Sequence, residues 1–265
     1  MKRIVALKNK LVLPLWVFRN AHTYYLDFFG LLTTTKPLLY HLRNGVSLYA
    51  EANRVDCHIL MEIWATHDYT KWKCGIGVHD TVVDIGAHKG YFSVYAEKLA
   101  KKGKVFSFEP NPVNYMYFQK NIKRNRCNNV RLFRMGVAGS SGTKTFFISD
   151  ENDGGNSILR DWFVGRSKLR TFRAKTLSIE DMLRTCKIPR INFLKVDCEG
   201  AEYEIFRSVK RATLKKIDKI SMEYHQVNSF HVNQIIEKLQ FTHEVYLKGT
   251  KKDTIGMLYA CRKVI

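Results

Sequence analysis

From Thr81 onward, short β-forming runs alternate with amphipathic helical stretches, and this alternation constrains the fold more than any other feature of the chain. Apolar strands separated by helices call for a parallel sheet covered on both faces, because each crossover has to pass over the sheet. The runs read TVVDIG, KVFSFE, NVRLFRM, INFLKVD and KISMEY. A helix is expected from about Gly90, with Tyr91, Val94, Tyr95 and Leu99 inward and Gly103 as its stop. Asn111 before Pro112 starts another, a cap residue followed by proline at the first helical position. A last helix carries Val232, Ile235, Ile236 and Leu239 at helical spacing. Two closing runs, HEVYLK and IGMLYA, flank Gly249 to Asp253 and predict an antiparallel hairpin. The expected architecture is α/β and Rossmann-like, a mostly parallel seven-stranded sheet with a C-terminal antiparallel hairpin.

Residues 1–79 lack the alternation and are expected to form a mostly helical N-terminal extension to a domain covering residues 80–265. A polar, Gly- and Arg-rich insertion with weak strand signals lies between Ser140 and Leu177. Six cysteines occur, none at C-x-x-C spacing, which argues against a zinc knuckle or a thioredoxin-type pair and fits a reducing compartment. Met1 to Lys10 is basic, and the apolar run Leu11 to Phe18 that follows is too short to span a bilayer, which needs about 20 residues. No small-residue cleavage site follows it, so the segment is expected to pack on its own domain or to lie on a membrane surface. These features place the protein in the cytoplasm, with peripheral membrane contact as an open option.

The chemistry is concentrated at strand ends. In Asp84-Ile85-Gly86-Ala87-His88-Lys89-Gly90 an acid closes a buried strand, a glycine turn follows, and a helix begins at once. The spacing differs from the dinucleotide fingerprint G-x-G-x-x-G, and the acid before the turn suits a cationic group rather than a pyrophosphate. About 20 residues on, the next strand ends in Phe108-Glu109-Pro110, where an acid accepts both hydroxyls of a ribose. A ribose acid, an acid near a cationic amino-acid end and a glycine turn between them describe S-adenosylmethionine. Asp197 in Lys195-Val196-Asp197-Cys198-Glu199-Gly200 should emerge at the carboxyl edge of the sheet, where open α/β folds bind ligands. Glu223 and His225, two apart at the end of the next strand, point to the same side. Together Asp197, Glu199, Glu223 and His225 could deprotonate a hydroxyl or hold a divalent cation.

The succession DIGAHKG, FSFEPNP, NNV with GVAG, TLSIEDML, LKVDCEGAE and MEYH resembles the FkbM-type methyltransferases over about residues 54–245. The resemblance implies a class I methyltransferase domain using S-adenosylmethionine, most often to O-methylate hydroxyls of sugars and other natural-product scaffolds. It implies that Asp84, Gly86, His88 and Gly90 form the cofactor loop, and that Glu109 binds the ribose with Asn111 beside it. Val137 and Ala138 would flank the adenine. Asp197, Glu199, Glu223 and His225 would line the methyl-transfer side, with Asp197 or His225 as the base. The run Asp56 to Trp64, then Tyr69, resembles the family's lead-in segment, and Asn152 to Ser157 its polar loop, with Asn156 and Ser157 as acceptor contacts.

Lys and Arg number 44 against 24 Asp and Glu, a net charge of +20. Such an excess points to an anionic partner: nucleic acid, a membrane surface or a phosphorylated substrate. An RNA methyltransferase is the rival reading, and two observations oppose it. No D/N-P-P-Y run follows the fourth strand, and Cys198 between carboxylates is a poor thiolate nucleophile. A cofactor-binding accessory protein without catalysis is the other rival. The preferred acceptor is a sugar, glycan or lipid-linked hydroxyl, with the basic exterior facing a phosphate or an anionic membrane.

Overall fold

The computed structural model describes residues 11–149, 152–159, 169–226 and 230–263. Its strands are β1 Leu38–His41, β2 Ser47–Ala50, β3 Thr81–Ile85, β4 Lys104–Phe108, β5 Val130–Phe133, β6 Gly136–Val137 and β7 Gly142–Ser149. They continue with β8 Asn152–Ser157, β9 Leu169–Leu177, β10 Ile191–Val196, β11 Ile217–His225, β12 His243–Lys248 and β13 Ile255–Arg262. Seven of them form one sheet in the order β12-β13-β11-β10-β3-β4-β5. The pairs from β11 through β10, β3 and β4 to β5 are parallel, whereas β13 runs antiparallel to both β11 and β12. The expected sheet and its closing hairpin are therefore present, and the chain is α/β.

The sheet is a buried layer. Along β3 only Thr81 is not fully buried, and in β10 only Asn192, which is what a strand covered on both faces requires. Successive side chains enter opposite cores. Val83 and Leu194 join one with the helices Ile179–Thr185, Glu202–Ser208 and Val232–Leu239. Val82 and Phe193 join the other with the helix Tyr91–Leu99. That second core is completed by the N-terminal segment, through Phe18, Tyr40, Leu48, Leu60 and Ile63. Residues 11–79 thus supply one wall of the sheet's packing.

Among residues 11–79 the N-terminal segment holds α-helices at Leu13–Val17, Ala21–Phe28 and Asp56–Trp64, and also the β1–β2 hairpin, which the sequence did not announce. The free edge of β2 is closed by side chains from the helix Pro112–Asn125. Asn121 accepts from Tyr49 N at 2.6 Å and returns a bond to Tyr49 O at 3.2 Å. One turn later Asn125 does the same to Ser47, at 2.9 and 2.8 Å. Two amides at i and i+4 stand in for a neighbouring strand, which removes the unpaired edge. The helix itself starts as expected, with Asn111 Oδ1 accepting from Val113 N at 2.8 Å and Pro112 at its first turn.

The polar insertion forms a second sheet, order β6-β9-β7-β8, rather than a bare loop. Among the described residues no helix is long and apolar enough to cross a membrane. All six cysteines are unpaired.

Candidate active site

The strand order reverses between β3 and β10, and a crevice opens there at their carboxyl ends, the usual ligand site of an open α/β sheet. Gly86 turns the chain out of β3 with φ +75°. A Cβ at that position would sit 1.7 Å from the Asp197 carbonyl oxygen, so glycine alone lets the two strand ends pass. Gly90 ends the turn at φ +83°, and a Cβ there would meet the Phe118 ring at 2.0 Å. The two glycines are placed by backbone necessity. Gly86 lines the cavity, whereas Gly90 lies beneath it.

Glu109 lines the cavity and is fixed by the turn. Its carboxylate accepts from His88 N and from Asn111 N, both at 2.8 Å. Burial pushes its carboxyl up to about 7 against the pull of those amides. His88 also lines the cavity, at φ +52°, and neither of its ring nitrogens has a hydrogen-bond partner. Burial, reinforced by Lys89 and Lys195, keeps that imidazole neutral. Its Nδ1 lies 3.8 Å from Asp56 Oδ1, which is itself buried without a hydrogen-bond partner. Val137 lines the same cavity.

Five of the expected residues stand elsewhere. Asp84 is sealed under the turn: Ser93 Oγ donates to it at 2.6 Å and Lys195 Nζ lies 3.3 Å away, so it does not reach the cavity as a direct ligand contact. The cause is burial on both faces of the sheet, because Asp84 lies inside the buried run of β3 whereas Gly86 lies beyond its end. Asn111 is consumed as a helix cap and Ala138 is buried off the cavity, its N–H donating to Leu177 O at 2.9 Å. Ser157 is buried as well, donating to Glu199 O and accepting from Leu159 N, so it braces the Glu199 turn. Asn156 pairs with Ile148 in the second sheet.

Part of the cavity wall, next to the glycine turn, is acidic. Asp197, Glu199 and Glu223 line it, and His225 lies directly behind them. His225 Nδ1 is 3.0 Å from Glu202 Oε1, and Nε2 is 3.5 Å from Glu199 and 3.7 Å from Glu223. Burial opposes its charge, but Glu199 and Glu202 outweigh burial and hold the ring as a cation. A charged imidazole has no lone pair with which to take a proton, which weakens the expectation that His225 is the base. Burial and the neighbouring Asp197 push Glu223 up to about 8. Burial, with Asp197 and Glu223 adding to it and His225 opposing, lifts Glu199 to about 8 as well. Asp197 remains ionised: burial works against it, and Lys195 and His225 prevail. Cys198 is pushed far up by burial and by Glu202, which removes it as a nucleophile.

Three residues at the site carried no assigned role in the sequence. Lys195 is buried, donates to Gly86 O at 2.7 Å, and lies 3.5 Å from Asp197, so it ties the glycine turn to both aspartates. It stands two residues before Asp197, and the parity rule that paired Glu223 with His225 would have found it. Tyr69 donates to Asp197 at 2.8 Å and lies 3.4 Å from Glu223. Glu62, on the helix Asp56–Trp64, faces the same acids, and burial with Asp197 raises it to about 7. One donor atom each from Asp197, Glu223 and His225 lie within 4.8 Å of one another, a spacing that suits a divalent cation once the proton on His225 is displaced.

A family model described as the methyltransferase FkbM domain matches residues 84–246. Methyltransferase 1 of Beauveria bassiana is 23% identical over 157 residues, covering 54% of this chain and 63% of that protein. Methyltransferase sdnD of Sordaria araneosa is 28% identical over 207 residues, covering 67% of this chain and 78% of that protein. Hexuronic acid methyltransferase AglP of Haloferax volcanii is 26% identical over 177 residues, covering 66% and 69%. The chain thus spans less than two thirds of the length of the first of these relatives and more of the other two.

Proposed function

This chain belongs to the FkbM methyltransferase domain family, and we propose that it is an S-adenosylmethionine-dependent O-methyltransferase acting on a hydroxyl of a sugar, glycan or glycolipid precursor. One observation carries the reading: a single cavity is lined both by the glycine turn with Glu109 and by Asp197 with Glu223. The relative named as a hexuronic acid methyltransferase supports a sugar as acceptor.

The first of these groups fits S-adenosylmethionine. Glu109 offers carboxylate lone pairs to ribose hydroxyls, and Gly86, Ala87 and His88 border the same cavity. Val137 offers an apolar flank to the adenine. The bound cofactor supplies an electrophilic methyl group on a sulfonium.

The chain's own residues then have two tasks, to align an acceptor oxygen and to take its proton. Glu223 is the proton acceptor in this proposal, because it faces the cavity and titrates near neutrality. Asp197 stays charged and, held by Tyr69 and Lys195, orients the acceptor hydroxyl. His225 is a positioning residue whose positive charge steadies Glu199 and Glu223 from behind. Ile59 and Glu62 of the N-terminal segment wall off the cavity.

The test is incubation with labelled S-adenosylmethionine and a cell extract separated into RNA, lipid and soluble glycan fractions. Label in the lipid or glycan fraction, absent with Asp197→Asn, is the expected result. Label confined to RNA would overturn the acceptor class. Activity abolished by a chelator and restored by a divalent cation would replace the bare carboxylate with a metal-assisted step.

A further inference from the structure

The two helices that open the described chain, with the residues flanking them, bury apolar side chains on one side and expose others to solvent. Pro14, Phe18 and Tyr24 face inward and are buried. Outward stand Leu15, Trp16, Phe29 and Leu31, exposed by 50%, 74%, 58% and 63%, with Leu11 and Leu26 beside them. The helices are locked to each other and to the hairpin behind them. Tyr25 Oη donates to Leu11 O at 2.5 Å, and Arg43 Nε donates to Leu15 O at 2.9 Å. Exposed apolar side chains scattered singly need no explanation, but a cluster of this size on a rigid support marks a contact surface.

Charge identifies the occupant. Arg19, Lys36 and Arg43, all exposed, belong to the same segment. In sequence, Lys2, Arg3, Lys8 and Lys10 precede Leu11. Asp27 is the only acid before Glu51, and it is buried against Tyr40 and Asn53. Among the described residues before Glu51, the segment therefore carries exposed positive charge and no exposed acid. A second copy docked by a twofold axis would set like charges against each other. An anionic lipid surface matches both properties, because leucine and aromatic side chains enter the headgroup region while lysine and arginine meet phosphates.

We propose that the helices Leu13–Val17 and Ala21–Phe28 dock the protein on an anionic lipid bilayer. Helix Ala21–Phe28 packs on helix Asp56–Trp64, where the Phe28 and His58 rings lie 5.4 Å apart. Ile59, Glu62 and Ile63 of that second helix line the cavity, so the docking surface is one helix away from it. Docking stands without the methyl-transfer reading. Delivery of a lipid-linked acceptor to the cavity is the one corollary that rests on it.

The test is sedimentation of the full chain with phosphatidylcholine vesicles and with phosphatidylcholine–phosphatidylglycerol vesicles, at low and high salt. Binding to the anionic vesicles that salt weakens is expected. Trp16→Glu with Phe29→Glu should reduce it by about tenfold or more, with unchanged melting because both side chains are exposed. Leu15→Ser with Leu31→Ser provides a second, milder variant pair with the same expectation. Absence of binding to anionic vesicles, equal binding to neutral ones, or undiminished binding by both variants would each overturn the proposal. A wild-type dimer that the variants dissolve would overturn it in favour of a second copy.

Discussion

The hydroxyl of Tyr69 donates a 2.8 Å hydrogen bond to Oδ2 of Asp197, joining the N-terminal segment to the end of β10 across 128 positions of sequence. The same hydroxyl lies 3.4 Å from Glu223, so one phenol spans the two acids that face the cavity. Burial and the adjoining acids keep it protonated, so its proton is available to Asp197.

Tyr69→Phe should therefore lower kcat by about tenfold, the value of a hydrogen bond to a charged group, and change KM for the cofactor little. Steady-state methyl transfer with both substrates varied separates the two effects. An unchanged kcat would show that Lys195 alone suffices to hold Asp197.

Glu223→Gln should reduce kcat by about a hundredfold or more, the ordinary contribution of a positioned base. A carboxyl takes a proton only when ionised, and that of Glu223 is pushed up to about 8. In the wild type kcat/KM should consequently rise with pH from the neutral range and level off above about 8, later than for an ordinary carboxylate. The variant's profile should lose that rise. A pH–rate series on both proteins decides it.

Lys89 is buried with Nζ 2.6 Å from Asp56 and 2.7 Å from Glu51, and it joins the cofactor turn to the N-terminal segment. Lys89→Met keeps the length of the side chain but leaves the fully buried Asp56 without its cation. Removing one member of such a pair costs about 3 kcal/mol or more, so Tm should fall by roughly 10 °C. Adding Asp56→Asn should recover part of the loss. Thermal melts of the single and double variants measure the difference.

Stability without ligand should decline as pH rises above neutrality. Glu199 and Glu223 are raised to about 8 from an ordinary 4.5, so the folded state binds protons that the unfolded state has released. Their contribution is complete below the ordinary value and is lost as pH climbs through about 8. His225, raised above its ordinary 6.5, adds stability that is lost in the same direction. His88 and His243 are held neutral and act oppositely, but only below their ordinary 6.5. Urea midpoints measured from about pH 7 to pH 9 should fall, and less steeply in Glu199→Gln.

Much of this was legible in the sequence. Alternation from Thr81 placed the sheet and its hairpin, and the acids and glycines at strand ends marked the cavity, because strand termini follow directly from local pattern. Interactions that depend on distant chain were not. Asp84 looks available until β3 is seen to be covered on both faces, which hands it to Lys195 and Ser93. Glu62 and Tyr69 read as helix and loop residues, and only the packing of the N-terminal segment across the sheet brings them to Asp197. The β1–β2 hairpin was missed because each strand has four residues and its edge is completed by Asn121 and Asn125, whose positions show nothing until the helix is docked.

The shared core on one face of the sheet carries a consequence for how the molecule comes apart. Phe18, Tyr40 and Leu60 pack in the same cluster as Val82, Val105 and Phe193, so no plane separates a leading piece from a trailing one. A fragment beginning at Thr81 would present the raw underside of its own sheet to water, with Phe193 and Tyr259 uncovered, and would be prone to aggregate. Unfolding should accordingly proceed as one cooperative event, with amides in β3 and β10 exchanging only when the N-terminal helices have also let go.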